Sequence, residues 1–396
     1  MYPTLYHFFY DLTGWEVGFL KVIPMFGFWV ITAFMVASWL SVIELKRREE
    51  AGYISPKLKT VTIGAKTPVS EYVSNGVIGF LLGFKIGYVF FHQEVLENFP
   101  SFLISTQGSL IGGLLVGAAM VGWKYREAKK TELPEPYEKE VNMHPYQHMS
   151  NITMLSIASG MGGSVIFGTL EKPYLISEFF ANPSLGISHL YNGLSVYGGV
   201  ILGILIGMYY VWKNKLNLIQ FLDALVPTIL MAYAIGRIGC HMAGDGDWGI
   251  VNTNPQPEWM SFLPDWLWAY DYPNNVNGDG VPMTNCIYND PKYCNHLVPS
   301  VYPTPLYEFF MSTILFGILW SVRKLITIPL LMFSLVVLAM GVERYIIEQI
   351  RVNTVYEHGP FAGFTQAEAI SIGMIILGIG MGIYSVWRYK KNQAHE

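Results

Sequence analysis

The sequence predicts an all-α, polytopic helical membrane protein of about nine transmembrane helices, with the N-terminus outside, the C-terminus cytoplasmic and an extracytoplasmic cap. Three observations predict it. Of 396 residues, 52% are hydrophobic and 14% charged, with mean hydropathy +0.34; a soluble domain carries roughly 25% charged residues. The charges are clustered, and apolar runs of about 20 residues separate them, which is the length a helix needs to cross a bilayer. The basic residues fall on alternate connections between those runs. The net charge of −4 gives no sign of nucleic-acid binding.

Spans are expected near 20–44, 71–92, 102–122, 151–170, 189–212, 218–240, 305–322, 326–347 and 366–387. The first 20 residues lack a basic start and contain Asp11 and Glu16, so they do not read as a cleaved signal peptide. Basic residues follow spans one, three, five, seven and nine, which puts 18 of the 25 Lys and Arg on one side. The positive-inside rule makes that side cytoplasmic. The whole chain, 1–396, reads as a single membrane domain.

Seven basic residues break the pattern. Lys21, Lys172, Lys292 and Arg351 fall in outer loops or at the outer interface. Lys85, Arg237 and Arg344 fall within spans or at their outer ends. Lys85 reads as a lysine that snorkels to the interface. Arg237 and Arg344 read as functional, because a guanidinium near hydrocarbon is costly.

Glycines at four-residue spacing, Gly79, Gly83 and Gly87, then Gly199, Gly203 and Gly207, and Gly378 with Gly382, read as helix-packing stripes. The segment 243–304 is the expected cap, with Trp248, Trp259, Trp266 and Trp268 at headgroup level and seven acidic residues against one lysine. Cys286 and Cys294 within it either pair or stay as free thiols. Cys240 stands too alone in sequence to mark a metal site. "NVNGDG" (275–280) starts like a calcium loop, but Cys286 occupies the place of the bidentate Glu, so a glycine-rich turn is expected.

Four polar clusters fall at one membrane level in this topology. They are "GLSVYGG" (193–199), "GRIGCHMAGDGDWG" (236–249), "YPTPLYE" (302–308) and "ERYIIEQIR" (343–351). Two guanidiniums, Arg237 and Arg344, suit a phosphate, since each donates paired hydrogen bonds. Glu348 follows Arg344 by one helical turn and is placed to orient it.

In these four motifs the chain resembles the bacterial prolipoprotein diacylglyceryl transferases, in the family's order and over roughly 189–387, plus "PMFGF" (24–28) in span one. The resemblance implies transfer of the diacylglyceryl group of phosphatidylglycerol to the thiol of a lipobox cysteine in a prolipoprotein. Glycerol phosphate leaves, a thioether forms, and neither metal nor cofactor is needed. It implies a bacterial inner-membrane location, with membrane lipids and the prolipoprotein signal-peptide segment as partners. Catalytic roles fall on Tyr197, Arg237, Arg344, Asp245 and His241. Substrate-binding roles fall on Ser195, Gly198, Gly199, Cys240, Asp247, Gly249, Tyr307, Glu308, Glu348 and Phe26. Asp245 or Asp247 is expected to orient Arg237.

The chain departs from the family's pattern at several of these positions. Cys240 replaces an asparagine, Tyr197 the histidine discussed as base, and Phe26 a tyrosine; Tyr302 and Pro305 replace a His and a Gln. Two spans are extra, and 93–187, with the cytoplasmic loop 123–150, reads as a family-atypical insertion. Either "GFKIGYVFF" (83–91) or "GGSVIFGTLE" (162–171) corresponds to the family's second span. Another phospholipid-headgroup enzyme on the same scaffold is the second reading and a transporter the third; a transporter calls for broken helices and inverted repeats at mid-membrane.

Overall fold

The computed structural model describes all residues except 93–94, 96–101, 103–104, 173, 182–194, 287, 289–290, 354, 357–361 and 395–396. The protein is mostly helical. Two short helices, α1 (Leu5–Thr13) and α6 (Tyr174–Ala181), accompany nine long ones among the described residues. These are α2 (Met25–Glu50), α3 (Val69–Val89), α4 (Leu110–Thr131), α5 (Met149–Glu171), α7 (Val196–Lys213), α8 (Leu218–Ala243), α9 (Thr304–Val322), α10 (Leu331–Glu348) and α11 (Gln366–Gln393). Each long helix overlaps one expected span. Six of them, α2, α3, α5, α8, α9 and α11, are long and apolar enough to cross a membrane. The chain divides into two compact units, one of residues 1–54 and 211–396, the other of 55–210.

In the first unit α8 is the central helix, packed by α2, α9 and α10, while α11 covers α10. Gly239 sets the approach of α2: a Cβ there would stand 2.8 Å from Trp29 Cβ and 3.4 Å from the Phe26 ring. Val226, Leu230, Leu319, Met332 and Val336 fill the space between α8, α9 and α10. Gly378 does the same for α11, with Leu338 backbone 2.8 Å from where its Cβ would be.

A polar lock closes one end of this unit. The buried Glu44 accepts from Arg47 Nε at 2.9 Å, Arg48 Nε at 3.0 Å and Arg323 Nε at 3.0 Å. Arg48 also donates to Gln220 Oε1 at 2.6 Å. Asp223 caps the start of α10, accepting from Leu330 N at 2.7 Å and Phe333 N at 2.9 Å. These residues lie at the ends of helices next to the basic connections. Arg237 sits at the other end of α8, about 25 Å away at a rise of roughly 1.5 Å per residue.

The cap joins α8 to α9. A two-residue ribbon pairs β3 (Val281–Pro282) with β4 (Asn295–His296). Cys286 and Cys294 form a disulfide with Cα atoms 5.4 Å apart. The glycine-rich turn expected at 275–280 is present: Asn275 Oδ1 accepts from Asp279 N at 2.9 Å, and Gly278 and Gly280 take left-handed φ of 72° and 98°. Converting both Cys286 and Cys294 to serine is expected to lower cap stability by about 2–3 kcal/mol, from the loop closure lost in the unfolded chain. Limited proteolysis checks this: the cap of the double variant should be cut at lower temperature than that of the parent.

In the second unit α3 and α4 form a hairpin. Gly79 faces Gly117 and Gly87 faces Gly112, so a Cβ at Gly79 would lie 2.9 Å from Gly117 Cα. Antiparallel strands β1 (Lys57–Ile63) and β2 (Tyr137–Met143) pair from Lys57 with Met143 to Ile63 with Tyr137. Lys85, expected to snorkel to the interface, reaches the connection between α3 and α4. Its ammonium donates to the carbonyls of Phe102 at 2.8 Å, Ser105 at 2.6 Å and Gln107 at 2.9 Å, and so secures the turn into α4. Helices α5 and α7 pack through small residues, with Ser156 Oγ donating to Gly203 O at 3.1 Å.

Candidate functional site

Three chain segments meet at the far end of α8. Gly249 N donates to Tyr302 O at 2.8 Å, and Ile250 N to Ile350 O at 2.9 Å. Thr304 Oγ1 donates to the Asp247 carbonyl at 2.8 Å. Only glycine fits at 249, because a Cβ would stand 2.8 Å from Thr304 Cγ2 and 2.9 Å from Tyr302 Cβ. This clasp brings the loop after α8, the start of α9 and the end of α10 to one place.

The clasp carries an ion network. Glu308, on the first turns of α9, is fully buried. Its Oε1 accepts from Arg344 Nη1 at 2.9 Å and from the Tyr233 hydroxyl at 2.9 Å. Its Oε2 lies 3.1 Å from Arg237 Nε and accepts from Arg351 Nη1 at 3.5 Å. Asp247 pairs with Arg237 and accepts from Arg351 Nη2 at 2.7 Å. Arg344 Nη2 pairs with Glu348 Oε2 at 3.0 Å, one turn along α10. Glu348 is itself held by Asn353 Nδ2 and Thr365 Oγ1, each at 2.6 Å. The Arg237 guanidinium also lies over the Tyr233 ring, 4.9 Å from its centre.

Of the two aspartates, Asp247 and not Asp245 partners Arg237. Asp245 instead accepts from Asp247 N at 3.3 Å and shapes the turn. Burial pushes the Asp247 carboxyl up, but the guanidiniums of Arg237 and Arg351 outweigh burial and hold it down at about 2, against an ordinary 3.8. Its ion pairs therefore contribute fully above pH 3.8 and are lost only as pH falls toward 2. Burial, and then the Asp247 charge, push Asp245 the other way, upward.

Cys240 is less alone than its sequence suggests. Its sulfur and the carboxylates of Asp245 and Asp247 lie within 4.8 Å of one another, a donor set of metal-binding type. Arg237 Nη1 sits 3.8 Å from that sulfur and also pairs with Asp247, so a guanidinium already supplies the positive charge there.

His241 faces the cap and not the ion network. Its Nδ1 is 3.1 Å from the Tyr272 hydroxyl, and its ring packs among Trp266, Tyr270 and Tyr272. The Tyr307 hydroxyl donates to Leu267 O at 2.7 Å, fastening the cap to α9. Phe26 lines α2 against Gly239. In the second unit, Gly198 and Gly199 open α7 against α5, and Ser195 Oγ donates to Glu171 Oε1 at 2.9 Å. Tyr197 stands on the first turn of α7, and its side chain lies outside the described residues.

Arg351, Tyr233 and Glu343 join the site without having been given a site role from sequence. Arg351 had a usable signal, since it follows Arg344 by seven residues, two helical turns. Tyr233 had a similar one, a turn before Arg237.

Fold and site together define a helical membrane enzyme that gathers three arginines and three acids at one end of its bundle. The chain belongs to the prolipoprotein diacylglyceryl transferase family, whose sequence model matches residues 126–384. That match takes in "GGSVIFGTLE" and leaves out "GFKIGYVFF". It is 26% identical over 245 residues to the phosphatidylglycerol–prolipoprotein diacylglyceryl transferase of Clostridium tetani, covering 62% of this chain and 82% of that one. The enzyme of the same name from Pseudomonas aeruginosa PAO1 is 25% identical over 241 residues, 60% of this chain and 74% of the other. That of Proteus mirabilis is 26% identical over 227 residues, 56% and 70%.

Proposed function

We propose that this chain is a membrane transferase of lipoprotein biosynthesis that moves the diacylglyceryl group of phosphatidylglycerol to the thiol of a lipobox cysteine in a prolipoprotein. The thiolate sulfur attacks the glyceryl carbon, the carbon–oxygen bond to phosphate breaks, and glycerol phosphate leaves with the bonding pair. The observation that carries this reading is the surplus of donors in the arginine cluster. Each guanidinium has roughly five N–H groups; Glu308, Asp247 and Glu348 engage only some of them, and the buried Nε of Arg351 has no hydrogen-bond acceptor. A phosphodiester oxygen meets that need, and the same donors stabilise the charge that grows on the departing phosphate. The three carboxylates hold the guanidiniums in place beforehand, so little reorganisation is needed when the lipid binds.

In this reading the nine long helices all cross the inner membrane of a bacterium, N-terminus outside and C-terminus in the cytoplasm, and the arginine cluster faces the outer leaflet. The Glu44 lock, beside the basic connections, then lies at the cytoplasmic face, and the cap rests on the outer surface. The exposed side chains of Trp259 and Phe262 suit contact with lipid headgroups there. Because the family match begins at residue 126, we assign the family-atypical pair to the hairpin of α3 and α4 in place of the expected insertion 93–187. Purified protein mixed with phosphatidylglycerol and a lipobox peptide should add one diacylglyceryl mass to the peptide. A peptide that keeps its mass, with the protein folded, refutes the proposal.

The base is assigned to Tyr197, acting as proton acceptor or as donor to the phosphate, with His241 as the rival. A free phenol titrates near 10 and a free imidazole near 6.5, so the two have different pH profiles. Tyr197→Phe should lose most of the transfer rate between pH 6 and 9, while His241→Ala should mainly loosen the cap. A full rate in Tyr197→Phe with loss in His241→Ala reverses the assignment.

A further inference from the structure

The carboxylates of the ion network account for Asp247, Glu308 and Glu348, each against at least one guanidinium. Glu343 is a fourth acid, and it has no such role. It stands one residue before Arg344 on α10 and is only 3% exposed. Its Oε1 is fully buried and has no hydrogen-bond partner. The groups whose charges act on it are Glu308 on α9, Arg237 on α8, Arg344 on its own helix and Arg351 just past that helix's end. Tyr233 of α8 lies in the same field. The Glu343 carboxyl is thus buried in the same end of α10 that carries Arg344 and Glu348 of the ion network.

A buried acceptor without a donor is costly, about 1–3 kcal/mol and more when charged. Such a group is retained where a ligand supplies the missing donor. The phosphate proposed for this site carries a glycerol headgroup with two free hydroxyls, and a hydroxyl reaches an acceptor beside its own phosphate. We propose that Glu343 Oε1 accepts a hydrogen bond from a headgroup hydroxyl of the phospholipid and makes the site selective for a polyol headgroup. This rests on the diacylglyceryl-transfer reading and adds a determinant of lipid choice to it. A site that pairs its buried acceptor with a substrate hydroxyl rejects analogues without one, because the acceptor is then left unpaired.

The test compares phosphatidylglycerol with phosphatidylpropanol, which has the same phosphate and chains but no headgroup hydroxyl. The wild-type protein should prefer phosphatidylglycerol in kcat/KM by about tenfold, the order expected when a buried acceptor is left unpaired by the analogue. In Glu343→Leu that preference should shrink at least tenfold, mostly through KM for phosphatidylglycerol. Glu343→Gln keeps a carbonyl acceptor and should keep most of the preference, a rescue that a packing role alone does not give. Glu343→Met serves as the apolar variant if Leu prevents folding. An unchanged preference in the apolar variant, or an equal loss with both lipids, overturns the inference while leaving diacylglyceryl transfer intact. A wild-type protein that converts neither lipid refutes the transfer reading, and this inference falls with it.

Discussion

Alanine at Arg237 or at Arg344 should lower diacylglyceryl transfer by about 10³-fold or more, while the protein remains folded in the membrane. The magnitude follows from the chemistry. Departure of glycerol phosphate builds charge on the phosphate oxygens in a site shielded from water. Removing one preorganised donor from such a site costs about 10²–10³ in rate, and a guanidinium serving a phosphate transition state has a larger effect. The two residues come from different helices, α8 and α10, yet Glu308 binds both. Neither can take over for the other, because each approaches the common centre from its own side. Lysine should recover little at either position, since an ammonium lacks the planar fork that pairs two oxygens at once. Activity in the peptide mass assay, beside detergent-solubilised thermal unfolding, separates lost chemistry from lost fold. A variant at either position with the parent's rate would remove that arginine from the phosphate site.

Much of this architecture was legible in the sequence because a bilayer imposes strong rules. Hydrocarbon leaves the backbone no partner but itself, so about 20 apolar residues announce a helix, and the long helices fall where those runs predict. Arg237 and Arg344 were legible for the same reason, as charges where charge is costly. The pairing of Arg344 with Glu348 follows from helical spacing alone. What sequence could not supply was the third dimension. Arg351 sits two turns past Arg344, beyond the apolar run, where a basic residue looks like an ordinary interface anchor. Only the Gly249 clasp, which pairs residues about 100 positions apart, brings it onto Asp247. The choice between Asp245 and Asp247 was open for a related reason: the two stand two residues apart in one glycine-rich turn, and only the turn geometry puts Asp247 on Arg237. Lys85 shows the same limit. The sequence offers a lysine and an interface, while the fold offers three carbonyls at the end of a turn.

Loss of the Glu308 carboxylate should damage both stability and activity more than loss of any other acid in the site. It is fully buried, and three guanidiniums and the Tyr233 hydroxyl converge on its two oxygens. Truncation to alanine leaves those cations facing one another without their shared counter-charge, and breaking a buried pair from one side costs about 3–5 kcal/mol. Glu308→Gln is the more informative variant, because it keeps volume and one acceptor but turns an amide donor toward guanidiniums that also donate. Transfer should fall by about 10²-fold or more, and the unfolding midpoint should drop with it. The effect on Arg351 supplies the decisive comparison. Arg351 is held by Glu308 and Asp247 together, so Arg351→Ala in the Glu308→Gln background should cost less than in the parent, by about 1 kcal/mol or more. Strict additivity of the two substitutions would mean that Glu308 does not organise the arginines. The cluster would then be a set of independent charges, and the phosphate site would have to be sought elsewhere in the bundle.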